Sequence, residues 1–242
     1  SLAIAGLAAD VIAASGLLRD GFSFQTGAGG ISLATADAVK NHMLAGKVQG
    51  GFAAGGITGF HVEMLEAGLF RSLLDVQCFD LRAVQSYQRN PAHQAMSASM
   101  YANPHNRGPV VNRLDAVILG AAEVDLDFNV NVTTKANGVI MGGSGGHADT
   151  AAGAKLAIIT TRLTAGGFPK IVERVGTLTT PGETIDAVVT DRGVAINPRR
   201  GDLLERLAVR GLPLVDIDEL HHRAQQAAQM RARRPDGRVV AV

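Results

Sequence analysis

Phe22-Ser23-Phe24-Gln25-Thr26-Gly27-Ala28-Gly29-Gly30 is the stretch whose reading decides the fold. A short apolar strand at residues 22–25 runs into a glycine loop, and an alanine-rich helix follows from about residue 31 to 44. Strand, glycine loop, helix is the opening of a βαβ unit. The same grammar recurs on both sides. Residues 8–18 read as a helix and Asp20-Gly21 as a turn. Downstream, residues 48–53 read as a strand, Gly55-Gly56 as a loop, 61–69 as a helix, 73–79 as a strand and 81–89 as a helix. Residues 116–120 form a buried-strand run, and 128–132 and 139–141 are strand candidates ahead of a second glycine loop at 142–146. Residues 155–160 and 187–190 supply further apolar runs, helices follow at 202–209 and from 218 to about 232, and 237–242 read as the start of a strand. Alternation of this kind predicts an α/β fold, an open, mostly parallel sheet with helices on both faces and a ligand crevice beyond the strand C-terminal ends. No repeat or low-complexity linker divides the chain, so 1–242 reads as a single domain.

Composition narrows the function classes. Of 242 residues, 23 are Lys or Arg and 22 Asp or Glu, a formal charge of +1 that advertises neither nucleic acid nor membrane surface as a partner. Aromatics are 4 % with no Trp, which argues against stacking platforms for single strands or sugars. One cysteine, Cys78, excludes a disulfide framework and a multi-cysteine zinc site; the expectation is a cytoplasmic chain with no metal of its own. No stretch approaches the roughly 18 uninterrupted apolar residues of a membrane span. Residues 1–7 lack a basic leader, so no signal peptide is expected, and the start without Met inside an ordered-looking segment reads as a fragment.

Several constellations could carry chemistry. Gly27, Gly29 and Gly30 let an anion or a carbonyl oxygen approach bare backbone at a helix start, or they simply make a tight turn. The spacing fits neither the dinucleotide fingerprint nor a phosphate loop. Gly142-Gly143-Ser144-Gly145-Gly146-His147 is more specific, because four glycines in five positions exceed what a turn requires; a ligand against the chain or a hinged lid would explain it. His147 reads as a loop hydrogen-bonding residue or as a base. Glu63, soon after a strand end, is either a carboxylate nucleophile towards a thioester or a glutamate favoured by its helix dipole. His61 and Glu63 resemble the His-x-Glu of zinc deaminases, but the required Cys-x-x-Cys is absent. Asp125, Asp127 and Asn129 alternate as on one face of an extended segment, suited to a cation, a hydroxylated substrate or a turn. Arg199-Arg200 could clamp a carboxylate or be solvated, and Arg231, Arg233 and Arg234 read as a solvated helix end.

Taken together, 22–30, Gly55-Gly56-Ile57-Thr58-Gly59, 74–80, Tyr101-Ala102-Asn103-Pro104-His105-Asn106, 125–131 and 142–147 resemble the citrate lyase α-subunit family over essentially the whole chain. The resemblance implies a CoA-transferase domain, the C-terminal half of a longer two-domain subunit. It implies acyl exchange on a thioester: acetyl on a carrier protein gives way to citrate, forming citryl thioester and acetate as the first step of citrate cleavage. The thiol carrier is CoA or the CoA-like prosthetic group of the acyl carrier protein. Implied partners are the β subunit, the acyl carrier (γ) subunit and the N-terminal domain of the same subunit, within an oligomer.

The wider CoA-transferase group has a Gln-x-Gly-x-Gly loop and a His-x-Glu-Met segment whose glutamate is acylated. Gln25 to Gly29 and His61 to Met64 match these, which makes Glu63 the expected catalytic residue. The citrate lyase type works through a ternary complex, so Glu63 could instead position substrate. Gln25, Gly27, Gly29, Gly30, Gly142, Gly143, Gly145, Gly146 and His147 are expected to bind the acyl thioester, and Asn129, Arg199 and Arg200 the substrate carboxylates. Alternatives are another acyl-CoA:carboxylate transferase of citramalate or acetate type, a thioester hydrolase, or a structural half inactive by itself.

Overall fold

The structure, a computed structural model, describes residues 1–27 and 29–228. In chain order its elements are α1 (Leu2–Ser15), β1 (Ser23–Thr26), α2 (Gly30–Gly46), β2 (Gly50–Ile57), α3 (Gly59–Glu66), β3 (Phe70–Cys78), α4 (Leu81–Arg89), β4 (His93–Ala95), α5 (Ala98–Ala102), β5 (Ala116–Gly120), β6 (Glu123–Asp125), β7 (Val130–Asn131), α6 (His147–Gly153), β8 (Leu156–Thr160), β9 (Thr164–Ala165), β10 (Phe168–Pro169), β11 (Ile171–Val172), β12 (Ala187–Thr190), β13 (Gly193–Ile196), α7 (Gly201–Val209) and α8 (Ile217–Ala227).

Eight strands form one sheet in the order β13-β12-β8-β5-β1-β2-β3-β4, parallel throughout except the β12–β13 hairpin. Its middle strands are buried on both faces, which is why β1, β5, β8 and β12 read as short runs rather than as alternating patterns. One face is covered by α1, α2, α3 and α7, packed around Ile12, Val39, Met43, Val62 and Leu207. The other carries α6, α8 and a small β11-β6-β7 sheet around Val117, Val124, Val130 and Leu220. The expected open α/β architecture is therefore present.

Local expectations differ in several places: the helix expected over 8–18 spans Leu2–Ser15, and α5 and α6 were not expected. Gly55-Gly56 lies inside β2, not in a loop, because Gly55 at φ 99° absorbs a register shift while the strand continues. Residues 139–141 form no strand; only an isolated bridge joins Ile140 to Thr134. Residues 128–132 contribute only Val130–Asn131, paired in the small sheet. The edge strands β4 and β13 go unread because His93-Gln94-Ala95 is short and polar, while Gly193–Ile196, though apolar, spans only four residues and follows β12 by a two-residue turn. The expected helix from 218 is α8, while its end past 228, Arg231, Arg233, Arg234 and the strand at 237–242 lie outside the described residues.

Candidate active site

Chain order reverses at β1: the chain runs through β2 and β3 to β4 on one side and through β5 and β8 to β12 on the other. Open α/β sheets bind ligands at such a switch point, beyond the strand C-terminal ends. A cavity of about 250 Å³ opens there, between the ends of β1 and β5, lined by Gln25, Gly27, Tyr101, Gly120, Gly146 and His147. A neighbouring cavity of about 630 Å³ shares Gly56, Phe79, Tyr101 and Gly146 and extends it outward to Asp149.

Gln25 is buried, and its Nε2 donates to Tyr101 Oη at 2.7 Å while its Oε1 has no partner. The bare end of β2 makes room for it. A Cβ on Gly55 would lie 3.1 Å from Gln25 Cδ, and one on Gly56 would overlap the Phe79 ring. Burial raises the Tyr101 pKa, keeping its hydroxyl neutral and able to both donate and accept.

The two glycine loops differ in what they need. Gly146 is required by packing, since a Cβ there would lie 2.7 Å from the Tyr101 ring. Gly30, Gly142 and Gly143 face open space, with nothing within 4 Å, and neither folding nor packing accounts for them. Met141, just before the second loop, lines a further cavity of about 480 Å³ with Glu123, Lys135, Phe168 and Lys170. The loop thus runs between two cavities.

His147 joins the crevice as a tie, not as a base. Its Nε2 donates to the Gly120 carbonyl at 2.9 Å, so Nδ1 accepts from Thr180 Oγ1 at 2.6 Å. Burial lowers its pKa, and neither ring nitrogen is left to take a proton from substrate. Glu63 is not among the crevice residues. It stands half-exposed on α3, on the rim formed by the C-terminal ends of β2 and β3, where Arg82 of α4 pairs with its Oε1 and with Glu66 Oε2 at 3.1 Å. Glu63 Oε2 makes no hydrogen bond among the described residues.

The expected carboxylate binders are not brought to the crevice. Asp125, Asp127 and Asn129 do not alternate along a strand; Phe128 takes φ 64° and Asp125 Oδ1 accepts from the amides of Asp127 and Asn129 in a tight turn. Asn129 Oδ1 is spent on the Gly182 amide at 2.9 Å. Arg200 lies at the opposite end of the sheet, where β8 and β12 begin, its guanidinium shared between Asp186 at 2.6 Å and Asp202 at 2.9 Å. Arg199 faces solvent beside Glu183. Sequence reasoning missed Tyr101 and Phe79 as crevice residues and Thr180 as the buried partner of His147; Tyr101, one of two tyrosines, stood in a motif without a role.

The chain matches the family described as citrate lyase, alpha subunit (CitF), over residues 1–242. It is 48 % identical over 224 residues to the citrate lyase alpha chain of Klebsiella pneumoniae, covering 93 % of this chain and 44 % of that one. The alpha chain of Haemophilus influenzae is 51 % identical over 223 residues, covering 92 % and 45 %. A solved α subunit of citrate lyase from Streptococcus mutans, in complex with citrate, superimposes with a TM-score of 0.91 at 46 % identity over 93 % of this chain and 44 % of that one. RipA from Yersinia pestis shares the fold at 17 % identity with a TM-score of 0.61, covering 91 % and 51 %. The chain spans less than half the length of the curated relatives it matches. It belongs to the citrate lyase α-subunit family.

Proposed function

We propose that this chain forms one half of a two-domain subunit that exchanges acyl groups on a thioester, replacing acetyl by citrate to give citryl thioester and acetate. The observation that carries this reading is the crevice at β1 and β5, where Gln25 meets Gly27 of the first glycine loop and Gly146 of the second; further along these loops Gly30, Gly142 and Gly143 are bare positions that no packing explains. Backbone amides there can stabilise the oxyanion of a tetrahedral intermediate. The thiol would come from CoA or the CoA-like group of an acyl carrier protein. Lys135 and Lys170 line the cavity at the other side of the glycine loop and supply cations for the free carboxylates of citrate. A β subunit, the carrier protein and the other half of the subunit complete the proposed assembly.

Two routes are chemically open. In one, Glu63 attacks the thioester carbonyl, expels the thiolate and becomes a mixed anhydride. In the other, a citrate carboxylate attacks directly and Glu63 orients it from the rim. The ion pair with Arg82 supports the direct route, because it holds the Glu63 carboxylate against α4, outside the lining of the crevice where a nucleophile would have to meet the thioester carbonyl. Intact-mass measurement of the full-length subunit after incubation with acetyl-CoA tests this. Exchange without any acetyl adduct on Glu63 is expected; a stoichiometric adduct there establishes the covalent route instead. Glu63→Ala exchanging at the parent rate would remove Glu63 from either.

A further inference from the structure

At the far side of the main sheet, β3 and β4 bring an aspartate, a cysteine and a histidine to one point. The register pairs Leu73 with His93, so Asp75, two residues on from Leu73, presents its side chain on the same face as His93. Asp75 is 4 % exposed and His93 2 % exposed. Cys78 Sγ lies 2.7 Å from Asp75 Oδ2, and His93 Nε2 lies 3.0 Å from the same oxygen. One donor atom from each of the three residues falls within 4.8 Å of the others. The remote nitrogen of His93, Nδ1, is held by Ser86 Oγ of α4 at 3.0 Å.

Hydrogen bonding inside this cluster leaves it unbalanced. Two donors converge on Oδ2, while Asp75 Oδ1 is buried with no partner. Among the described residues no Lys or Arg pairs with Asp75; its ion-pair partner is His93. A buried carboxylate with one bare oxygen and no fixed cation is costly. A second unpartnered atom lies on α3, which packs against β3 and α4. His61 is fully buried, its Nδ1 accepts from the Thr58 amide at 3.2 Å, and its Nε2, which therefore carries the proton, bonds to nothing.

We propose that Asp75, Cys78 and His93 form a binding site for a divalent transition-metal ion of the zinc class. Thiolate, imidazole and carboxylate are the donor set such an ion prefers, and three protein ligands leave a fourth position for water. Tetrahedral bond lengths of about 2.0–2.3 Å put ligand atoms roughly 3.4–3.6 Å apart, so Sγ and Nε2 must each move away from Oδ2 by less than about 1 Å and settle about 3.5 Å from one another, starting from within 4.8 Å. On binding, the Cys78 thiol proton leaves to solvent. The His93 proton shifts to Nδ1 and donates to Ser86 Oγ, whose hydroxyl rotates to accept it, giving the orienting contact that metal-ligating histidines require. Cys78 is only partly buried and marks the entry path. The ion would anchor β4 and α4 to the end of β3, next to Phe79 of the crevice and to Asp80, whose carboxylate binds the amides of Gly59 and Ala83.

The test is titration of the full-length subunit, stripped with a chelator and dialysed, with Co²⁺ as probe. One equivalent is expected to bind with thiolate-to-cobalt charge-transfer absorption. Cys78→Ser should abolish that absorption, and Ser86→Ala should weaken affinity about 10–100-fold while keeping it. If a variant fails to fold, the wild-type spectrum decides alone. Wild-type subunit with native circular dichroism that takes up no Co²⁺, or takes it up without the thiolate band, overturns the proposal. So does unchanged affinity in the Cys78→Ser, His93→Gln double variant.

Discussion

Gln25 Nε2 donates to Tyr101 Oη at 2.7 Å, tying the end of β1 to α5 across 76 residues of sequence. The Tyr101 ring also packs where a side chain on Gly146 would stand, so one residue fixes the first strand's amide and the second glycine loop together.

Tyr101→Phe keeps the ring and removes the hydroxyl. Urea denaturation should show a loss of about 1 kcal/mol, the net worth of one hydrogen bond. Acyl exchange should fall by more than this stability change explains, since Gln25 loses its fixed orientation in the crevice.

Glycines in the second loop and at 182 should behave oppositely. Gly142→Ala meets nothing within 4 Å and should stay within about 0.5 kcal/mol of the parent. Gly182→Ala would push a Cβ to 1.9 Å from the Asp127 carbonyl oxygen, a backbone atom that cannot swing away. Losses of roughly 3 kcal/mol or more are expected there, read from the denaturation midpoint.

Acid should destabilise the fold through His61. Burial holds its pKa down at about 4, against about 6.5 when unfolded, so the unfolded chain binds the extra proton between these values. Stability is then intact above about 6.5 and is lost as pH falls towards 4. Denaturation curves across that window should be flatter for His61→Gln than for the parent; equal slopes would contradict the assignment.

Cations at the two ends of the sheet should separate by assay. Arg200→Ala leaves the mostly buried Asp186 carboxylate without its guanidinium and should cost roughly 1.5–3 kcal/mol of stability with KM for citrate unchanged. Lys135→Ala should raise that KM with stability nearly unchanged.

Much of this fold was legible because central parallel strands and alanine-rich helices obey local patterns. Residues 116–120 read as a buried strand and form β5, and 81–89 read as a helix and form α4 behind the Asp80 cap. Gly55-Gly56 misled because a bulged strand and a loop share the same glycines. Of the residues that line the crevice, Gly27 and Gly146 stood out because bare backbone beside a strand end is unusual, and Gln25 through its match to the Gln-x-Gly-x-Gly loop. Arg200 was not legible, because a guanidinium's partners depend on which strand starts lie beside it, here Asp186 just before β12. The Asp75, Cys78 and His93 cluster escaped for the same reason: only strand register joins residues separated by the whole of α4.

The most direct test of the proposed activity is exchange of isotopically labelled citrate into a citryl thioester by the full-length subunit supplied with an acetyl thioester, compared with Gly142→Ala. Citryl thioester and acetate should form in equal amounts in the parent, with exchange in the correctly folded variant reduced about tenfold or more, because the added Cβ keeps the thioester from lying against the loop backbone. Exchange of other carboxylates without citrate, or a Gly142→Ala variant working at the parent rate, would contradict the account.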